Sequence, residues 1–317
     1  MGGGFYEPES RAVRATTKGY QTKSRNEIFK QSTICKEMNP MDVTMREARD
    51  SIDHPNTFPI ILGLDETGSM GHIPHRLIQD ALPTLMTQLI EAGIPDATLC
   101  FVGFGDHTCD AWPLQIGQFE SSDEKLDHWL ENIYLEGKGG GNDGESYLLP
   151  LVFAAFVAKT DAFEKRNQRG LLITVGDEPP LKRISKNALV GLCGEQANDW
   201  FEGTHITHAE LLDLCSKAWQ VVHVHVNHSG RSLSRAWTEL MGEQNVVVVR
   251  ESDIPDVITS HAVQALRSER ETAVPVPDAT ETLAVDVDHS GGSDSESAET
   301  PSAAKADVSS EDVGLKV

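Results

Sequence analysis

Ile60-Ile61-Leu62-Gly63-Leu64-Asp65-Glu66-Thr67-Gly68-Ser69-Met70 is the stretch whose reading decides the fold. An apolar run ends in an acid, and hydroxyl residues follow at the second and fourth positions after it. A short apolar run bounded by turn residues reads as a buried strand. Gly68 and Gly71 break it, and Pro74 opens a helix, where the missing N–H would be unpaired in any case. Asp65, Thr67 and Ser69 are therefore expected on a loop at the carboxyl end of a strand, where open α/β sheets bind their ligands. One carboxylate and two hydroxyls on a single turn offer hard oxygen ligands. They suit Mg²⁺, which binds through few carboxylates and keeps several waters.

Working outward, Leu77/Ile78, Ala81/Leu82, Leu85/Met86 and Leu89 recur at helical spacing, and Gly93 ends the helix. Pro83 lies inside it and predicts a kink. Ala97 to Phe104 reads as the next strand, and Trp112 to Phe119, a mixed run, reads as a short strand, antiparallel at the edge. Ser121-Ser122-Asp123-Glu124 resembles a capping box before a helix carrying Leu126, Trp129, Leu130 and Ile133. An apolar helix is expected from Tyr147 to Lys159 and a core strand over Leu171 to Val175. Residues 181–204 read as an irregular excursion. Thr207-His208-Ala209-Glu210 is a capping box with Ile206 and Leu211 as its hydrophobic staple. Strand Val221 to Val226, helix Ser232 to Met241, strand Val246 to Val249 and helix Ile254 to Arg267 complete the alternation. Such alternation implies a mainly parallel sheet of six strands with helices on both faces.

Two further loops follow strand ends or precede helices. One is Gly139-Gly140-Gly141-Asn142-Asp143-Gly144-Glu145, and the other is Gly176-Asp177-Glu178-Pro179-Pro180. With the first loop, these resemble the three-loop metal-ion-dependent adhesion site of von Willebrand factor type A (vWA) domains. In that family the first loop reads Asp-x-Ser-x-Ser, and here Thr67 takes the first Ser position. The second loop there supplies a Thr, where Asn142 stands, with Asp143 one register step away. The third supplies an Asp, here Asp177. The resemblance covers residues 58–265 and implies a Rossmann-like vWA fold: six strands, mainly parallel, with one short antiparallel edge strand. It also implies a site for Mg²⁺, or Mn²⁺ or Ca²⁺, held by Asp65, Thr67, Ser69, Asn142 or Asp143, and Asp177. The open coordination position would take a carboxylate from a partner protein. Many vWA proteins inside cells work beside an AAA+ ATPase, which makes such an ATPase a candidate partner by family analogy.

The rest of the 317-residue chain sets limits. Residues 1–57 are polar and mildly basic and read as a solvated extension packed loosely on the domain at 58–268. Met41 to Ile52 is the one expected helix there. From 269 to 317 Pro, Ser, Ala, Thr, Asp and Glu dominate, the composition of a segment that cannot bury enough surface to fold. The net charge of −22 argues against nucleic-acid binding by phosphate neutralisation. The five scattered cysteines read as reduced, mostly structural thiols. Met1-Gly2-Gly3-Gly4-Phe5-Tyr6 has no apolar leader, and Leu148 to Ala158 is too short to span a bilayer. The expectation is a cytoplasmic protein without membrane contact.

Alternative readings concern the same residues. Asp65, Thr67 or Ser69 taken singly could be caps, and Asp106 and Asp110 read as turn residues. The glycine run lacks the Lys-Ser/Thr of a phosphate-binding loop. His205, His208, His223 and His225 could form a zinc site, with core packing as the plainer account. An enzyme reading, a metal-dependent hydrolase or phosphotransferase, would need Glu66 or Glu178 as general base. A third reading is a scaffold whose cation only stiffens the loops. The favoured one is a cation-dependent protein-binding module without catalysis.

Overall fold

The structure is a computed structural model that describes residues 4–136, 144–227, 233 and 235–272. The chain enters through helices α1 (Pro8–Lys18) and α2 (Arg25–Ile28) and strand β1 (Arg46–Ala48). Strand β2 (Phe58–Asp65) leads into α3 (His72–Arg76), one wide turn (Leu77–Ala81) and α4 (Leu82–Glu91). Strands β3 (Ala97–Phe104) and β4 (Leu114–Ile116) precede α5 (Asp123–Glu131). Then come α6 (Leu148–Val152) with a second wide turn (Phe153–Val157), β5 (Ala158–Thr160), α7 (Asp161–Arg166) and β6 (Gly170–Gly176). Strand β7 (Arg183–Ser185), α8 (Lys186–Cys193), β8 (His205–Thr207), α9 (His208–Ser216), β9 (Trp219–Val226), α10 (Arg235–Met241), β10 (Val246–Val249) and α11 (Ile254–Thr272) follow.

Six strands form the central sheet in the order β10-β9-β6-β2-β3-β4. Every neighbouring pair is parallel except β3 with β4, which is antiparallel at one edge. Starting from β2, the chain lays β3 and β4 on one side and then crosses over to lay β6, β9 and β10 on the other. The reversal leaves a crevice outside the carboxyl ends of β2 and β6, the usual ligand position in such sheets.

Each face of the sheet has its own core. Ile60, Leu62 and Leu64 pack with Leu77, Leu82, Leu85 and Ile258 of α4, α11 and the turn before α4. Ile61 points the other way, with Leu149, Leu189, Leu211 and Trp237 of α6, α8, α9 and α10. Alternate residues of one strand feeding two cores is why the strand reads as unbroken apolar sequence. Among the described residues no helix is long and apolar enough to cross a membrane.

Three local expectations are corrected. Met41 to Ile52 is not a helix: a short turn at Pro40–Asp42 is followed by β1, which pairs with β5. Residues 181–204 are more regular than expected, because β7 pairs with β8 and Ser185 caps α8 by accepting from the Ala188 N–H. The stretch at Ser121 is not a capping box: Ser122 is the cap residue of α5, and the Ser121 hydroxyl donates to the Gly4 carbonyl at 2.9 Å. The Thr207 capping box is present.

The N-terminal residues are bound more deeply than a loosely packed extension. Arg11, 2% exposed, pairs with the buried Asp127 at 2.7 Å. Arg14 bonds both Asp127 and Asp123. The reason lies at Pro83. Proline has no N–H for the helix ladder, and the turn before it widens over Leu77–Ala81. Two carbonyls of that turn accept from the N-terminal segment, Ile78 from Arg11 and Gln79 from Gln21, each at 2.5 Å. Gln79 returns a bond to the Tyr20 carbonyl at 3.0 Å. The extension thus satisfies backbone groups that the proline helix leaves open.

Candidate functional site

Asp65 is the last residue of β2 and Asp177 follows the last residue of β6. These are the two strands that flank the switch point. The Asp65 carboxylate is 1% exposed. Its Oδ1 accepts from the Thr67 N–H at 2.9 Å and the Thr67 hydroxyl at 2.6 Å. Ser69, at the exposed tip of the same loop, donates to Asp177 Oδ1 at 3.1 Å. Four of the six expected ligands therefore stand together: Asp65, Thr67, Ser69 and Asp177. Asn142 and Asp143 lie outside the described residues.

Tyr147 joins the first and third loops. Its hydroxyl donates to Asp65 Oδ2 at 3.3 Å and accepts from the Glu178 N–H at 3.1 Å. The ring lies over Gly176, where a Cβ would fall 2.0 Å from the hydroxyl oxygen, so only glycine fits before Asp177. Trp237 packs edge-on against Tyr147 and donates to the Glu178 carbonyl at 3.0 Å.

Glu145 brings the second loop to the third. Its N–H donates to the Pro179 carbonyl and its carbonyl accepts from Leu181 N–H, both at 2.9 Å. This short bridge carries the side chain into the crevice. Glu145 Oε2 is buried and has no hydrogen-bond partner among the described residues. Burial, and after it the charges of Asp65, Asp110, Asp106 and Asp177, push its carboxyl up to about 9. Asp65 is pushed up to about 7, first by burial and also by Asp177, against hydrogen bonds from Thr67 and Tyr147 that pull it down. The charges acting on both groups are those of other carboxylates.

Glu66 is buried inside the fold. Its carboxyl lies over Gly103 of β3, where a Cβ would fall 1.4 Å from Oε1. The Gln115 side chain donates to it and to the Tyr134 carbonyl, and accepts from the Tyr134 N–H. Burial holds this acid well above its usual range. It is an interior fastening between loop, edge strand and the approach to the glycine run.

Among the described residues the histidines are not gathered into a metal-binding group. Among the described residues no three His, Cys, Asp or Glu side chains form a group able to hold an ion. His223 stacks on Trp237 with centroids 3.6 Å apart and shares a 3.0 Å hydrogen bond with Thr174. His208 meets Trp237 edge-on and bonds the Leu181 carbonyl. His205 is exposed beside Thr204. His223 also meets Tyr147 edge-on, so His223 and His208 pack around the Tyr147–Trp237 pair. All five cysteines are free thiols, and Cys100, Cys193 and Cys215 are buried.

The donor set fits a hard divalent cation. All donors are oxygens, from two carboxylates and two hydroxyls, and buried carboxylates are groups that a cation would stabilise. Sequence reasoning missed Tyr147, Glu145 and the Glu66–Gln115 pair as parts of this region. The one available signal was Gly176, a glycine directly before a strand-end acid, which marks a close approach.

No family model matches the chain, and no curated protein matches it. Among solved structures it is similar to proximal thread matrix protein 1 from the mussel byssus, with 9% identity, 66% of this chain and 48% of that chain covered, and a TM-score of 0.41. It is similar to the pilus adhesin SpaC from Lactobacillus rhamnosus GG, with 10% identity, 68% and 30% covered, and a TM-score of 0.42. It is also similar to the conserved hypothetical protein BatB from Bacteroides thetaiotaomicron, with 14% identity, 68% and 100% covered, and a TM-score of 0.38. The chain thus spans less than half the length of the first two. Likeness at this level decides neither fold nor function, and the strand order and register of the molecule itself carry the architecture.

Proposed function

We propose that this chain is a vWA-type module that binds a protein partner through a divalent cation, with Mg²⁺ as the first candidate. The observation that carries the reading is the meeting of Asp65, Thr67, Ser69 and Asp177 across the switch point, in a crevice where acidic side chains gather. These four would hold the ion, with Asn142 or Asp143 as a further ligand. The cation supplies a positive centre with an open position for an external carboxylate.

The chain's own residues do the rest. Thr67 fixes the Asp65 carboxylate through two hydrogen bonds, and Tyr147 fixes its other oxygen. Glu178 and Trp237 hold Tyr147 in place from the third loop and α10. Ser69 at the tip is the solvent-facing member, and the proposed partner would approach from that side. Few carboxylates at the ion leave it favouring an anionic ligand from outside. Thermal unfolding with Mg²⁺, Mn²⁺, Ca²⁺ or excess EDTA tests the reading. A cation-dependent rise in stability for the wild type, absent in Asp65→Ala, is the expected result. No rise with any of the three cations would overturn it.

A further inference from the structure

We propose that Arg25 and Lys30 form an anion-binding pocket beside the Asp65 loop, and that the partner segment is an acidic peptide presenting two carboxylates, one to the cation and one to this pocket. The inference rests on the reading of the cation site given above.

A cavity of about 440 Å³ is lined by Arg25, Asn26, Phe29, Lys30, Gln31 and Leu135. Two cations and two amides line it, and among the described residues no acid does. It adjoins the first loop of the site. Leu135 stands just before the glycine run, and the Arg25 guanidinium lies on Gly71, with Nη1 2.7 Å from where a Cβ at that glycine would fall. Gly71 itself donates to the Thr67 carbonyl at 2.9 Å and so belongs to the turn that carries the ligands.

Arg25 is half-buried, yet among the described residues nothing accepts a hydrogen bond from its guanidinium and no acid pairs with it. This contrasts with its neighbours. Arg11 and Arg14 are spent on Asp127 and Asp123, and Lys18 on Glu131 at 2.6 Å. The acid closest in sequence, Glu27, is turned back to accept from the Ser24 N–H and hydroxyl at 2.8 and 2.6 Å. A planar fork of five unused donors in a chain with a net charge of −22 is suited to bidentate capture of a carboxylate. Lys30, exposed at the same cavity, adds a second point charge.

The test uses the full chain in excess Mg²⁺ with two fluorescein-labelled probes, a hexaglutamate peptide and a glycine-serine peptide carrying a single glutamate. The wild type should bind hexaglutamate more tightly. Arg25→Gln should weaken hexaglutamate by about tenfold, the worth of a charge-assisted hydrogen bond, and Lys30→Gln by a smaller factor. Neither should change binding of the single-glutamate peptide or the stability gained from Mg²⁺. Lys217→Gln, an exposed lysine just before β9, should change nothing. The proposal is overturned if Arg25→Gln binds hexaglutamate as the wild type does, if Lys217→Gln weakens it equally, or if the wild type binds neither probe. Failure of the cation reading looks different. Hexaglutamate would then bind equally in EDTA and in Asp65→Ala, and a loss confined to Arg25→Gln would leave the pocket standing as an anion site by itself.

Discussion

Asp65-Glu66-Thr67 and Asp106-His107-Thr108 stand just beyond neighbouring parallel strands, β2 and β3, and make the same local turn. In each, the Thr N–H and hydroxyl donate to the Asp side chain, at 2.9 and 2.6 Å in the first and 2.9 and 2.9 Å in the second. Their surroundings separate them. The first faces Asp177 and Ser69 across the switch point, with Tyr147 on its second oxygen. The second is closed by its own neighbours: Asp110 accepts from the Asp106 N–H at 2.6 Å, and His107 bonds Ser146. A shared motif therefore makes a turn in both places and a candidate site in one. What differs is whether the adjoining strand sends an acid back over the crevice.

The largest test of that contrast is Arg11→Met. The first loop runs into the proline helix that Arg11 supports, whereas the second runs into edge strand β4. The change strips a buried Asp127 of one partner and the Ile78 carbonyl of its donor, with an expected cost of about 4 kcal/mol. Chemical denaturation reads it, and a cost under about 1 kcal/mol would mean that the N-terminal segment is not part of the fold's support.

Next comes acid. Burial lowers the His208 pKa to about 4. Between the ordinary value of 6.5 and 4 the unfolded chain takes up a proton that the folded chain refuses, so stability falls as pH drops through that window. The full loss is about 3 kcal/mol. His208→Gln should remove this part of the slope between pH 7 and 4, and an unchanged slope would place the acid sensitivity elsewhere.

The third test addresses the comparison directly. At a cation concentration one hundred times the dissociation constant, the wild type should gain about 2.7 kcal/mol. Asp65→Ala should lose that gain and Asp106→Ala should keep it. Equal loss in both would erase the distinction between the loops. The smallest effect concerns the glycines beneath them. Gly103→Ala forces its Cβ into the enclosed Glu66 carboxyl, at an expected cost of about 2 kcal/mol. Gly105→Ala meets only the Asp110 carboxylate tip at 2.4 Å, which can swing away, for about 1 kcal/mol. Thermal melts in EDTA would show whether the order holds.

Some of this was legible in the residues and some was not. Strands buried on both faces announce themselves, so β2, β3, β6 and β9 were readable from runs such as Ile60 to Leu64, and the more exposed β10 from its four successive valines. The edge position of β4 also followed from its mixed composition. Asp65, Thr67, Ser69 and Asp177 were identifiable because each sits next to a strand end. Tyr147 was hidden inside an apolar helix pattern, since nothing in sequence tells a hydroxyl that packs from one that orients a carboxylate. Arg11 read as a solvated charge because its partners, Ile78 and Asp127, lie 67 and 116 positions away. The wide turn before Pro83 is a backbone adjustment that periodicity does not register.

By itself the sequence determined the alternation of strands and helices, the strand ends that carry acids and the turn chemistry of both Asp-x-Thr motifs. These depend on local sterics, on hydrogen bonds between near neighbours and on the period at which apolar residues recur. Only the tertiary structure decided which acids meet. The crossover that places β6 beside β2 brings Asp177 to Ser69 and pins Glu145 against Pro179, and the pairing of β3 with β2 lays Glu66 on Gly103. Those contacts join residues far apart in the chain, and their energies depend on burial and mutual charge, which exist only once the sheet has closed over its two cores.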